Sequence, residues 1–310
     1  MSELTLALDV GGTKIAAGLV DADGTVVRST QEPTPHGDDP EAVWAVTEHL
    51  IAATTADVRI RGAGVACAGP VHVPTGTVSP INLTAWRDFP VRDRVAAALP
   101  GLPVRLGGDG LCMTLGEHWR GAGQGAAFLL GLVVSTGIGG GLIVDGAPYF
   151  GRTGNAGHVG HVVVDTAGPP CTCGGHGCVE AIASGPHLAQ WARENGWDAT
   201  PEASAKELAA AATAGDAVAV RAFGRGATAI AAMIASIAAV CDLDRVVVGG
   251  GVARSGPVLF DPLREALGEY VGLDFIAGLT VVPAQLGGEA GLVGAAALLG
   301  ESGQTDPPTS

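Results

Sequence analysis

The chain has 310 residues, 47% hydrophobic and only 15% charged, with 49 glycines and a formal net charge of −14. That length and apolar content suit two ordinary domains with full cores and exclude a disordered chain. The acidic balance argues against nucleic acid or an anionic membrane surface as a partner.

The first element is Leu6-Ala7-Leu8-Asp9-Val10-Gly11-Gly12-Thr13-Lys14, an apolar run that ends on a carboxylate and enters a glycine turn. A second apolar run, 15–20, closes at Asp21-Ala22-Asp23-Gly24, a hairpin-type turn signal. Strand, turn and strand form a β-hairpin whose bend presents backbone N–H groups to an anion such as phosphate. Asp9 at the bend is placed to hold a metal ion, directly or through water. No basic stretch followed by an apolar one opens the chain, so no secretory signal and a cytoplasmic location are expected.

Residues 25–30 continue as a strand, and 40–53 carry apolar residues at helical spacing. Gly64-Val65-Ala66-Cys67-Ala68 is a short strand running into Gly69-Pro70, 91–99 an amphipathic helix, and 102–106 another strand. Alternation of this kind predicts an α/β lobe with a mixed sheet. Asp109 follows, a lone carboxylate in Gly107-Gly108-Asp109-Gly110. From the residues alone it reads either as a helix N-cap or as a base for an attacking hydroxyl.

The opening pattern recurs at 128–149. Leu130 to Val134 are apolar, Ser135-Thr136-Gly137-Ile138-Gly139-Gly140-Gly141 make the turn, and Leu142-Ile143-Val144 run out to Asp145-Gly146. Two glycine-hydroxyl hairpins, one per half of the chain, suggest related lobes gripping one polyphosphate. Further on, Cys171, Cys173 and Cys178 fall within eight residues, with His161 ten residues upstream. Three thiols and one histidine make a closed zinc set, with His176 competing for the histidine place. Cys67, Cys112 and Cys241 are isolated and read as core thiols. Ala-rich helices fill 185–240. The apolar stretch 226–240, flanked by Arg221 and Arg225, reads as a buried helix too short to span a bilayer. Val246-Val247-Val248-Gly249-Gly250-Gly251 is a strand ending in bare backbone that suits an adenosine. A final helix covers 291–299, and 301–310 read as a disordered tail.

Together these motifs resemble the ROK family of sugar kinases, over nearly the whole chain. The first phosphate loop corresponds to Asp9, Gly11, Gly12, Thr13 and Lys14, and the second to the turn holding Thr136 and Gly137. The adenosine segment corresponds to Gly249, Gly250 and Gly251. Cys171-Thr172-Cys173-Gly174-Gly175-His176-Gly177-Cys178-Val179-Glu180 is similar to the family's zinc signature, with Gly160-His161 supplying the histidine. The resemblance implies a two-lobed actin-like ATPase fold of the ribonuclease H-like type. One α/β lobe would span 1–116 plus 291–300, the other 117–290, with the active site in the cleft. It also implies ATP, Mg²⁺ and a structural Zn²⁺ as cofactors and a homodimer as the assembly. Asp109 would be the catalytic base. Gly69, Asn82, His161 and Glu180 would line the sugar pocket.

Two positions depart from the family. The residues before the catalytic Asp are usually Glu-Asn, with the Asn on the sugar; here they are Gly107-Gly108. The usual Ala-Gly-Glu-x-Gly-His reads Ala156-Gly157-His158-Val159-Gly160-His161. Losing a polar partner from such a pocket costs about 1–3 kcal/mol each. A preserved phosphate machinery with an altered recognition surface therefore predicts phosphorylation of the primary hydroxyl of a hexose or hexose-like polyol, glucose being a poor one. A C7-cyclitol is the alternative acceptor. A non-catalytic sugar-binding or regulatory protein is the alternative of another class. DNA binding is not expected, because the phosphate loop starts at residue 9 and leaves no space for a helix-turn-helix.

Overall fold

The computed structural model describes residues 3–300, so the predicted tail at 301–310 lies outside the described residues. The strands are β1 (Leu4–Val10), β2 (Lys14–Val20), β3 (Val26–Pro33), β4 (Ile60–Cys67), β5 (Val71–His72), β6 (Thr77–Val78), β7 (Val104–Gly108), β8 (Leu129–Val134), β9 (Ile138–Val144), β10 (Ala147–Pro148), β11 (Arg245–Gly249) and β12 (Thr280–Pro283). The helices are α1 (Pro40–Thr55), α2 (Val91–Ala98), α3 (Asp109–Arg120), α4 (Glu180–Ala183), α5 (Gly185–Glu194), α6 (Ala205–Thr213), α7 (Ala217–Cys241), α8 (Pro257–Tyr270) and α9 (Ala290–Ala297).

Local chemistry explains where several of these begin. Pro40 opens α1 with its φ already set, and Asp39 accepts from the Glu41 N–H at 2.9 Å. Ser204 and Glu207 close a capping box at α6. Asp216 accepts from Val218 and Ala219 at the start of α7. The continuous apolar runs of β1 and β8 are buried on both faces, as central strands require.

The sheets repeat one topology. The first runs β3-β2-β1-β4-β7 and the second β10-β9-β8-β11-β12. Each has an antiparallel meander on one side and three parallel strands on the other. The echo between the two hairpins is thus an echo between whole sheets.

Between the sheets lie two helices, α9 against the first and α3 against the second. Their spacing is set by backbone. A methyl group on Gly294 would collide with the Cys112 carbonyl, and one on Gly64 of β4 with the Ala295 carbonyl. The apolar cluster of Ala7, Ala66, Leu111, Leu115, Leu129, Ile143, Val247, Leu292 and Ala295 joins both sheets through these helices.

One reading is corrected. The apolar stretch taken as 226–240 belongs to a helix of 25 residues, Ala217–Cys241, with Arg221 and Arg225 inside it. By length and composition α7 can cross a bilayer, though half of its apolar window is buried in this structure. It packs on α8, α6, α5 and α4, and Phe223, Ile230, Met233 and Ile234 are fully enclosed, so the core-helix reading fits. The sequence reading also lacked the β5–β6 hairpin, α8 and β12.

Candidate active site

The parallel strands β1, β4 and β7 lie side by side, with Asp9 opposite Ala66 and Ala66 opposite Gly107. Their carboxyl ends therefore deliver Asp9, Gly69 and Asp109 to one edge of the sheet, where α/β proteins place their ligands. Asp9 and Asp109 sit about 10 Å apart in strand spacing, with one strand between them. In the second sheet the same ends carry Ser135-Thr136-Gly137 after β8 and Gly250-Gly251 after β11.

Both hairpin bends are tight. The Gly11 N–H donates to the Lys14 carbonyl at 3.0 Å, and Thr34 Oγ1 to the Gly11 carbonyl at 2.7 Å. Thr13 and Lys14 are exposed, and Lys14 Nζ donates to Gln31 Oε1 at 3.1 Å. Asn82 folds against Gly12, its side-chain carbon 2.8 Å from where a Cβ would stand. In the second bend the Ser135 N–H donates to the Gly137 carbonyl at 2.9 Å. Gly251 lies against Ser135, a Cβ there falling 3.4 Å from Oγ. Gly249 ends β11 beside it, so the two glycine segments meet.

Asp109 is the first residue of α3, with Gly108 as its cap, so the N-cap reading of Asp109 is set aside. Its Oδ1 accepts from the Gly110 N–H at 2.7 Å. Asp109 is exposed to solvent, and the protein around it desolvates its carboxyl in part. This desolvation raises its proton affinity above that of an ordinary carboxylate. Burial pushes Asp9 up to about 6, the Asp109 charge adds to the rise, and Lys14 opposes it. Gly108 faces open space, with nothing within 4 Å of a Cβ. Gly107 is packed instead, a Cβ meeting Cys112 Sγ at 3.1 Å.

The opposite wall carries histidines. The His158 ring lies over Gly69, Cε1 2.9 Å from a Cβ built there. His158 and His161 meet edge to face with centroids 6.5 Å apart. Desolvation lowers the proton affinity of His158, the His161 charge lowers it further, and Glu180 opposes both. Glu180 does more than the sequence showed. Its Oε2 accepts from the Ile138 N–H at 2.7 Å, which ties α4 to the second phosphate turn.

His161, Cys171, Cys173 and Cys178 converge, with their donor atoms all within 4.8 Å of one another. Cys171 Sγ is 3.7 Å from His161 Nδ1, and Cys173 Sγ is 3.8 Å from Cys178 Sγ. Tetrahedral zinc with Zn–S near 2.3 Å requires S–S separations of about 3.8 Å, so the donor set fits that ion. His176 points away and donates from Nε2 to the Thr166 carbonyl at 3.2 Å, so the cluster takes His161. Cys67 and Cys112 are fully enclosed core thiols, and Cys241 is partly covered.

Two polar residues at this site had no signal in motif or spacing. Asn155 bonds the Val71 backbone 84 positions away. Glu117, fully enclosed on α3, accepts from the Ala122, Gln285 and Leu286 N–H groups at 2.8–3.1 Å.

Residues 5–302 match the ROK family. The chain belongs to that family. A ROK glucokinase from Streptomyces griseus, solved with glucose and AMPPNP, superposes with a TM-score of 0.82 at 35% identity, over 95% of this chain and 98% of that one. The glucokinase of Thermotoga maritima is 33% identical over 96% of this chain and 97% of its own. The N-acetylmannosamine kinase of Citrobacter koseri is 34% identical over 95% of this chain and 98% of its own. This ROK chain therefore has the actin-like ATPase fold, and it is an ATP-dependent carbohydrate kinase.

The raised Asp9 has a thermodynamic signature. The folded chain holds this proton more tightly than an unfolded chain with its ordinary value of 3.8, so the stability it adds is full below pH about 4 and lost as pH rises through about 6. Without added magnesium, Asp9→Asn should be more stable than wild type by about 1–2 kcal/mol at pH 7.5, and the gap should close at pH 4. Urea unfolding at the two pH values measures it; an equal gap at both would contradict the electrostatic account.

Proposed function

We propose that this kinase transfers the γ-phosphoryl group of ATP to the primary hydroxyl of a hexose or hexose-like polyol, with Asp109 as general base. The observation that carries the reading is the delivery of Asp9, Gly69 and Asp109 to one cleft edge, with open space at Gly108 beside the base. Residues 1–116 with 291–300 form one lobe in this reading, and 117–290 the other.

In the reaction Asp109 accepts the proton of the attacking hydroxymethyl group, and its raised affinity suits that role. Backbone N–H groups of the two turns, at Gly12, Thr13, Thr136 and Gly137, receive the polyphosphate, Gly11 shapes the first turn through its bond to the Lys14 carbonyl, and Lys14 adds positive charge. Asp9 would hold Mg²⁺, which neutralises phosphate charge when bound. Gly249, Gly250 and Gly251 give the adenosine a surface without side chains. Gly69, Asn82, His158, His161 and Glu180 orient the acceptor. Closure of the lobes excludes water and limits ATP hydrolysis. His161, Cys171, Cys173 and Cys178 would hold Zn²⁺, which supplies a rigid link behind Glu180 rather than chemistry. A homodimer is the assembly we carry over from the family resemblance.

The altered pocket favours an acceptor other than glucose. Gly108 leaves space where a side-chain contact is usual, and His158 brings a ring that donates as well as accepts. A C7-cyclitol is the second reading, on the same observation.

Elemental analysis should find one Zn²⁺ per chain. Its removal should speed hydrogen exchange in 161–180 and lower activity. Active protein free of zinc would contradict the site. Steady-state kinetics on glucose, mannose, N-acetylmannosamine and a C7-cyclitol should place glucose at least about tenfold below the best acceptor in kcat/KM. Asp109→Asn should lower kcat on that acceptor by about 10²–10⁴ while nucleotide binding persists. A wild-type preference for glucose would refute the pocket argument, and near-normal turnover by Asp109→Asn would refute the base.

A further inference from the structure

Segment 150–158 leaves the second sheet and reaches across to the β5–β6 hairpin, which follows β4 of the first. At its far end Gly157 rests on β9, where a Cβ would meet the Gly140 carbonyl oxygen at 2.6 Å. Before that, the Asn155 side chain pairs with the backbone of Val71 as a neighbouring strand would. The Val71 N–H donates to Oδ1 at 2.9 Å, and Nδ2 donates to the Val71 carbonyl at 2.6 Å. The other Nδ2 hydrogen goes to Thr153 Oγ1 at 3.0 Å. The Val73 N–H donates to the Thr153 carbonyl at 2.9 Å, which extends the pairing by one step. Gly154 adopts φ +103 with the Val71 and Val73 side chains against it, a conformation and a closeness that exclude other residues.

Val71 follows Gly69-Pro70 directly, and His158 follows Asn155 by three residues. Fastening Asn155 to Val71 therefore sets the His158 ring on Gly69. We infer that Asn155 is a positioning residue that assembles the acceptor wall, by joining the loop after the second sheet to the β5–β6 hairpin before any ligand arrives, resting on the reading of this cleft as the carbohydrate site. Only a primary amide offers a donor and an acceptor side by side to match a backbone N–H and C=O. An aspartate of the same shape would set an oxygen against the Val71 carbonyl. The phosphate turns join β1 to β2 and β8 to β9, and the adenosine segment follows β11; the Asn155 side chain bonds to Val71 and Thr153 instead, so its effect falls on the acceptor and not on ATP.

The test compares full-length wild type, Asn155→Asp and Asn155→Ala by hydrogen exchange at the Val71 amide without ligand, and by KM for ATP and for the best acceptor of the panel. Both variants should exchange Val71 at least about tenfold faster, raise acceptor KM at least about tenfold and leave ATP KM within about threefold. Thr153→Val removes one support of the amide and should shift the same quantities about two- to fivefold, which keeps the test open if Asn155→Asp does not fold. Wild-type exchange and acceptor KM in Asn155→Asp would reduce the residue to a space-filler and overturn the inference. Equal rises in both KM values would overturn it as well. If wild type phosphorylates no polyol, the carbohydrate reading fails and the acceptor role with it, while exchange at Val71 still reports whether the fastening exists.

Discussion

Two helices crossing backbone against backbone hold this site in place. Asp109 begins α3, and Asp9 is the penultimate residue of β1, on which α9 packs. A methyl group on Gly294 of α9 would strike the Cys112 carbonyl of α3, and one on Gly291 would come within 2.5 Å of an Asp9 oxygen. Glycine therefore sets the distance between the sheets, and with it how closely the two carboxylate-bearing strand ends face the turns of the second sheet. Any larger residue at these points would wedge the layers apart and move Asp109 away from the glycine turns of the second sheet.

That closeness has an electrostatic cost. Asp9 lies in a poorly solvated place and feels the Asp109 charge, so its proton affinity rises well above that of a free carboxylate. The same arrangement makes the cleft receptive to a divalent cation accompanying a polyphosphate. Glu117 secures the arrangement from behind. Its enclosed carboxylate gathers N–H groups from the end of α3 and from the segment entering α9, so both passages between the sheets meet at one side chain. Across the cleft, Glu180 ties α4 to the Ile138 N–H, and Asn155 ties the histidine wall to Val71. Two carboxylates and one amide thus serve as structural ties.

The sequence made the catalytic half of the site legible because phosphate turns, thiol spacing and strand ends are local. Asp9 with Gly11-Gly12-Thr13-Lys14, and Cys171, Cys173 and Cys178, declare themselves within a few residues. The spacing alone leaves His176 competing with His161; the family resemblance chooses His161, and the fold groups that residue with the thiols while His176 turns to the Thr166 carbonyl. Asp109 is ambiguous between cap and base from its neighbours alone; the family resemblance favours the base, and the fold sets the cap aside by making Gly108 the cap. The second tie of Glu180 and the reach of Asn155 to Val71 join positions 42 and 84 apart, and no local pattern encodes such contacts. The full length of α7 escaped the sequence because Arg221 and Arg225 bound its apolar stretch, whereas in the fold both sit within the helix, Arg221 exposed and Arg225 lying against α4 and α5. The Arg225 guanidinium stacks 5.7 Å from the Trp191 ring centre and donates to the Ile182 carbonyl at 3.1 Å.

The central claim is that Asp109 directs transfer to an exocyclic primary hydroxyl. Phosphorus–proton correlation NMR of the product formed from the preferred acceptor tests this most directly, alongside the analogue that lacks that hydroxyl. The account predicts a phosphate coupled to the exocyclic methylene protons and no product from the analogue. A phosphate on a ring hydroxyl, or turnover of the analogue, would contradict it.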